Sequence, residues 1–266
     1  MGCCLIQSRF KCLGLDSKVV HNSANFVEQN WDVDLKKPVI DVIIPAFNEE
    51  QSIGLVLADI PSEVVREVIV CNNASTDKTA GIARSLGATV VDQPRKGYGS
   101  ACLKGIEYLL CKEENEWPDI IVFIDGDYSD HPDELPALVR PIVEGGYDLC
   151  IGSRALGQLE KGAMMPQQIF GNWLATNLIK LIYGYQFTDL GPFRAIRFDK
   201  FLGLNMEDKD FGWTVEMQVK AAKKKYKCIE VPVRYRRRVG RSKVSGTARG
   251  TILAGYKILW TIFKLY

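Results

Sequence analysis

The apolar positions of this chain gather into short uninterrupted runs, separated by longer segments with helical spacing. Val39-Ile40-Asp41-Val42-Ile43-Ile44 is such a run, stopped by Pro45. Glu67 to Cys71, Thr89 to Val91, Asp119 to Ile124 and Leu149 to Ile151 are others. Runs this short and this apolar read as strands covered on both faces, as in a parallel sheet. Between them the spacing predicts helices over Glu49 to Ile60, Asp77 to Leu86, Tyr98 to Leu110 and Pro136 to Glu144. The alternation predicts an α/β fold, a mostly parallel sheet with helices on both faces. Downstream, Pro166 to Tyr183 and Phe211 to Ala222 read as helices and Cys228 to Val233 as a strand. Thr251 to Tyr266 reads as an amphipathic helix with Lys257 and Lys264 on one face. Residues 1–37 have no clear period. The expected organisation is an extension over 1–37, an α/β domain over 38–235, and a basic loop with a C-terminal helix over 236–266.

Composition adds limits. The 266 residues are 47% hydrophobic and 25% charged, which excludes general disorder, a collagen and a disulfide mini-scaffold. The net charge of +2 hides an asymmetry: Arg234, Arg236, Arg237, Arg238, Arg241 and Lys243 fall within ten residues that contain no acid. Setting those six aside leaves 28 cations against 32 acids. Such a segment suits phosphates, on a small ligand, a lipid head group or a nucleic acid. Nucleic acid is the disfavoured partner, because the cations are confined to one end and no basic stretch is interleaved with aromatics. The eight cysteines show no CxxC pair, and with His21 and His131 the only histidines a zinc site is not expected. Cys71, Cys102 and Cys150 read as reduced core residues of a cytoplasmic chain. No stretch reaches the roughly 18 apolar residues of a spanning helix. The start, Met1-Gly2-Cys3-Cys4-Leu5-Ile6, lacks a signal-peptide core and the Ser or Thr of a myristoylation site.

Candidate chemistry lies where the strands end, which is where ligands gather in open α/β sheets. Asp125-Gly126-Asp127 follows an apolar strand, and two carboxylates so spaced suit one hard cation, Mg²⁺ or Mn²⁺. Asn72 to Asp77 links a strand to a helix; Ser75, Thr76 and Asp77 suit a helix start, while Asn72 or Asn73 is free to read a base edge or ribose. Lys96-Gly97-Tyr98-Gly99 opens a helix with small residues, allowing an anionic ligand close to the backbone.

From Val39 to about Lys243 the chain resembles the family 2 inverting glycosyltransferases of the GT-A fold, and among them the polyprenyl-phosphate group that includes the dolichyl-phosphate mannose synthases. The motifs that carry the likeness are Pro45 to Glu50, Asn72 to Asp77, Lys96 to Gly99, Asp125 to Asp127, Gly152-Ser153-Arg154, Asp189 to Arg194 and Arg238 to Lys243. The resemblance implies that Pro45, Phe47, Glu49 and Asp77 contact the nucleoside of a nucleotide sugar, a UDP- or GDP-hexose, and that Asp125 and Asp127 hold the metal on its diphosphate. It implies that Arg194 and the basic stretch with Arg238, Ser242 and Lys243 handle the charges of diphosphate and acceptor. One departure stands out: the family usually has acids where Asn72 and Asn73 stand.

A hydroxyl acceptor needs a general base. Hydroxyl-using relatives carry a Glu-Asp pair where this chain has Asp210 to Met217, without such a pair. A phosphate monoester, with its second pKa about 6, attacks without a base and needs cations instead. The expected reaction is therefore transfer to a polyprenyl phosphate by a single in-line displacement, with a hydroxyl acceptor as the alternative. Glu216 and Asp189 are spare carboxylates, suited equally to sugar contact and to structural bonds. A polyprenyl phosphate lies in a bilayer, so Pro166 to Tyr183 and Thr251 to Tyr266 are expected to rest on the cytosolic face of a membrane, peripherally or through a membrane partner subunit. A nucleotidyltransferase is disfavoured, since Pro45 to Glu49 is not a glycine-rich loop bearing arginine.

Overall fold

The computed structural model describes residues 37–240 and 248–266. Seven strands join in one sheet: β1 (Ile40–Ala46), β2 (Glu67–Asn72), β3 (Thr89–Asp92), β4 (Ile120–Phe123), β5 (Leu149–Ser153), β6 (Arg194–Arg197) and β7 (Cys228–Pro232). Their order is β3-β2-β1-β4-β6-β5-β7. All neighbours are parallel except β6, which lies antiparallel between β4 and β5. The polar ends of Arg194-Ala-Ile-Arg197 conceal that strand in the sequence. Among the described residues eight α-helices accompany the sheet: α1 (Ile53–Asp59), α2 (Thr79–Ser85), α3 (Tyr98–Leu110), α4 (Leu135–Gly145), α5 (Pro166–Tyr183), α6 (Phe198–Leu204), α7 (Trp213–Lys223) and α8 (Ala248–Lys264).

Strand alternation builds two cores. Val42, Ile44, Val70 and Val122 face one side with Ile53, Val56, Ala83, Leu135 and Leu138 of α1, α2 and α4. Ile43, Ile69, Ile121 and Phe123 face the other with residues of α3, α5, α6 and α7. There Phe123, Phe201 and Trp213 form a ring cluster with centroids 5.7–6.0 Å apart. β1 runs past Pro45, which the sequence predicts as its end. The ladder to β4 stops at Ile43, so the missing N–H of Pro45 interrupts no pairing on that side.

Chain contacts divide Met1–Lys37 from a unit spanning Pro38–Tyr266. Within that unit α8 packs on α5 and α7. The strap after β7 returns over the end of β4: Arg236 N–H donates to Ser129 O at 2.9 Å and Val239 N–H to Asp127 O at 3.0 Å. Cys71, Cys102 and Cys150 are free and buried, as their apolar settings predict.

Candidate active site

The strand order reverses between β1 and β4. β2 and β3 extend the sheet to one side of β1, and β4 starts the other side. Ligands bind at such switch points, outside the carboxyl ends of the strands. A cavity of about 620 Å³ opens there. Pro45 near the end of β1, Phe47 and Glu49 after it, Asn73 after β2, and Lys96 and Gly97 before α3 line one part. Asp125, Asp127, Tyr98, Arg154, Tyr235 and Arg238 line the middle. Met164, Gln167, Gly171 and Asn172 from α5 and its approach, with Ala254, Gly255 and Ile258 of α8, form a further wall.

The loop after β1 is zipped to the loop after β2. Asn48, at φ 54°, donates its N–H to Ser75 Oγ at 3.0 Å and accepts Thr76 N–H on Oδ1 at 2.8 Å. Glu49 N–H donates to Thr79 Oγ1 at 2.7 Å, and Glu50 N–H to Asp77 Oδ2 at 3.2 Å. Asp77 Oδ1 accepts the N–H and hydroxyl of Thr79 at 3.0 and 2.5 Å, which starts α2. Asp77 is thus spent on this zip and does not line the cavity. The zip presents Phe47 and Glu49, and Lys96 Nζ sits 4.8 Å from the centre of the Phe47 ring. Asn73 is buried: its amide donates to Arg95 O at 2.7 Å and its Oδ1 accepts Gly97 N–H at 2.8 Å, so it shapes the Lys96-Gly97 turn.

The glycines there answer to protein, not to ligand. A Cβ on Gly97, at φ +144°, would lie 2.2 Å from Lys209 O, and one on Gly99 2.0 Å from Asp208 O. Ser100 N–H also donates to Lys209 O at 2.9 Å. The close approach that the sequence predicts for an anion is taken, at these atoms, by the 208–209 backbone.

Asp125 and Asp127 face the same cavity. Asp125 Oδ1 accepts the Tyr98 hydroxyl at 2.9 Å. Asp127 Oδ1 accepts the N–H and hydroxyl of Ser129 at 2.9 and 2.5 Å, and its Oδ2 pairs with Arg238 at 3.0 Å. Burial, then the Asp127 charge, pushes the Asp125 acid up to about 7, against the lowering effect of Tyr98, Arg238 and Arg154. Two acids that repel each other at a cavity wall suit a hard cation. Among the described residues no group of three or more His, Cys, Asp or Glu could hold a metal ion. A pair of carboxylates is a number with which Mg²⁺ binds when substrate phosphates and water complete its shell. Asp130, close by, is buried with neither oxygen bonded; burial, then Asp125 and Asp127, pushes it well above the usual carboxylate range.

Several sequence expectations are redirected. Arg194 is fully buried behind the site, donating to Gly191 O, Leu190 O (3.2 Å) and Thr214 O (3.0 Å). It stitches the loop before β6 to α7 and does not reach the cavity. Burial pulls its guanidinium down to about 10. Glu216, also buried, accepts Glu207 N–H at 3.0 Å and Asp208 N–H at 2.7 Å and pairs with Lys220 at 2.7 Å. It braces the backbone at 207–208 and does not itself line the cavity. Asp189 is bound to Arg154 by three bonds of 2.7–2.8 Å. The basic cluster is largely neutralised: Arg234 pairs with Asp133 and Glu134, Arg237 with Glu160, and Arg236 stacks 3.4 Å over the Tyr128 ring near Asp59. Arg238 is the member that lines the cavity, while Arg241, Ser242 and Lys243 lie outside the described residues. Tyr98 and Arg154 stood within quoted motifs with no role assigned. Asp210, on the wall with Phe211 and Thr214, is a cavity carboxylate that the search for a Glu-Asp pair passes over.

The model of Glycosyl transferase family 2 matches residues 41–203. An uncharacterized glycosyltransferase of Mycobacterium tuberculosis is 35% identical over 81% of this chain and 94% of its own. A dolichyl-phosphate hexose transferase of Haloferax volcanii is 32% identical over 80% of this chain and 89% of its own. Among solved structures, glucosyl-3-phosphoglycerate synthase from Mycobacterium tuberculosis, in complex with Mn²⁺, UDP-glucose and phosphoglyceric acid, superposes with a TM-score of 0.67 at 23% identity, covering 86% of this chain and 79% of that one. With the switch-point cavity, its paired aspartates and a family match across most of the sheet, the chain belongs to glycosyl transferase family 2 and is a nucleotide-sugar-dependent glycosyltransferase of the GT-A fold.

Proposed function

We propose that this enzyme moves a hexose from a nucleotide sugar to the phosphate of a polyprenyl, dolichyl-type phosphate, inverting the anomeric centre. The observation that carries this reading is the α5–α8 wall of the cavity. The outer faces of the same two helices expose Ile169, Phe170 and Trp173 on one and Ile252, Trp260 and Phe263 on the other. An acceptor drawn from a lipid surface reaches such a wall without leaving its solvent. The Haloferax relative, a dolichyl-phosphate hexose transferase, supports the same acceptor class. The enzyme then works peripherally on the cytosolic face of a membrane. Among the described residues no helix is long and apolar enough to cross one, and the free cysteines suit a reducing compartment.

Phe47, Glu49, Asn73, Lys96 and Gly97 would border the nucleoside of a UDP- or GDP-sugar. Asp125 and Asp127 would hold Mg²⁺ or Mn²⁺, which neutralises charge developing on the departing diphosphate; the Mn²⁺ and UDP-glucose bound in the mycobacterial synthase support that assignment. Arg238 and Arg154 supply fixed positive charge on the same wall, and the acceptor phosphate attacks as a dianion without a base. Asp210 favours a second reading. Its carboxyl is raised by burial and then by Asp208, and it could serve as base for a hydroxyl acceptor.

A panel of UDP- and GDP-hexoses, labelled in the sugar and incubated with and without polyprenyl phosphate, separates the two. Label in an acid-labile, organic-phase product supports the proposal. Product only with a saccharide or glycerol-type acceptor overturns it.

A further inference from the structure

We propose that Tyr98 and Ser129 are positioning residues that set the aspartate pair for its cation; the inference rests on the metal reading above. Asp side chains rotate broadly about their terminal torsion. A carboxylate pair holds a small hard ion well only when both groups are already turned toward it. Here each aspartate has Oδ1 engaged by a protein hydroxyl. Tyr98 donates to Asp125 at 2.9 Å and Ser129 to Asp127 at 2.5 Å. Asp127 Oδ2 is paired with Arg238, itself a cation that the site accommodates. Among the described residues Asp125 Oδ2 has no hydrogen-bonding partner. The two hydroxyls thus engage one oxygen of each aspartate, leaving Asp125 Oδ2 open to an incoming ion and Asp127 Oδ2 to be shared between that ion and Arg238.

The two supports come from unrelated parts of the chain, so neither follows from the other. Ser129 sits two residues beyond Asp127 on the same turn and adds its N–H to its hydroxyl, at 2.9 Å. Tyr98 is the first residue of α3, and its backbone is fixed by the packing of Gly97 and Gly99 on the 208–209 carbonyls. It reaches across the cavity to the end of β4. Asp125 therefore depends on one hydroxyl and Asp127 on two donors, which ranks the variants before any measurement.

The test is Mn²⁺ binding to the full chain, read as loss of the free-ion electron paramagnetic resonance signal, with and without UDP or GDP. Tyr98→Phe removes one oxygen and keeps the ring. It should weaken Mn²⁺ binding about 10-fold or more, in the range of ~10–100-fold found when outer partners of metal ligands are removed. The half-saturating Mn²⁺ for turnover should rise in parallel while kcat at saturating Mn²⁺ is largely kept, a split that loss of folding does not produce. Ser129→Ala retains the backbone donor and should weaken binding less than Tyr98→Phe. It also keeps the test open if the tyrosine variant does not fold. Wild-type affinity in both variants, with binding lost in Asp125→Asn, overturns the positioning role and leaves the metal reading standing. Wild-type affinity in Asp125→Asn overturns both.

Discussion

Asp189→Ala should cost about 3 kcal/mol of folding stability, although Asp189 lies in one of the motifs that carry the family likeness. The side chain is 1% exposed and is devoted to Arg154: it accepts that residue's N–H at 2.8 Å, Nε at 2.7 Å and a terminal nitrogen at 2.7 Å. Its backbone is held independently, donating to Glu230 at 3.1 Å and accepting Gln218 Nε2 at 2.8 Å, so truncation leaves the loop in place. What truncation leaves behind is a guanidinium only 11% exposed, without the carboxylate that hydrogen-bonds it. Breaking a buried pair from one side costs about 3–5 kcal/mol. The Tyr235 ring, 5.0 Å from the guanidinium, and the open cavity beside it return part of that, hence the lower figure. At about 1.4 kcal/mol per decade the folding constant falls by roughly two orders of magnitude. Urea titrations followed by circular dichroism and tryptophan fluorescence measure it, with the slope unchanged if only the folded state is affected. Adding Arg154→Met removes the stranded charge, so the double variant should be less destabilised than the sum of the singles. A loss under about 1 kcal/mol for Asp189→Ala, or strict additivity in the double variant, refutes the assignment of Asp189 as the buried partner of Arg154.

Arg234→Ala should change stability by no more than about 1 kcal/mol, because its pairs with Asp133 and Glu134 are partly solvated, and should leave turnover alone. Arg238→Ala should do the reverse, lowering kcat/KM about tenfold or more with little loss of stability, and steady-state kinetics beside thermal melts tell the two apart. Asp130→Asn should flatten the dependence of stability on pH. The native carboxyl is held well above its unfolded value of about 3.9, so its contribution is whole below that value and is lost as pH rises through the native one. The variant should therefore gain on the wild type as pH rises above about 4 in chemical denaturation; parallel curves would count against a neutral buried Asp130.

Much of the architecture was legible from local pattern. The helix predicted over Pro166 to Tyr183 has those bounds, and so has its apolar outer stripe, because a 3.6-residue period is written in consecutive residues. The strands of the first half, and the clustering of polar residues at their ends, came from the same source. So did the paired aspartates, whose spacing at a strand end is itself local. What eluded the pattern were features that depend on a distant partner. β1 continues through Pro45 because β4 happens to stop short of it, and β6 is a strand because β4 and β5 lie on either side.

Charge and motif behaved likewise. In one dimension Arg234 to Lys243 is a bare run of cations; in the fold Asp133, Glu134 and Glu160 lie against it, and Arg238 is the described member of that run on the cavity wall. Arg194, Glu216 and Asp77 sit in motifs of the right composition, yet their hydrogen bonds run to carbonyls, amides and loops behind the cavity. Local pattern was enough for the class of fold, the edge of the sheet that carries the chemistry and the carboxylate pair within it. Which charged groups face the cavity and which hold its walls follows from the folded arrangement alone. Periodicity acts between neighbours along the chain, whereas a charge is satisfied by whatever the fold brings within a few ångströms of it.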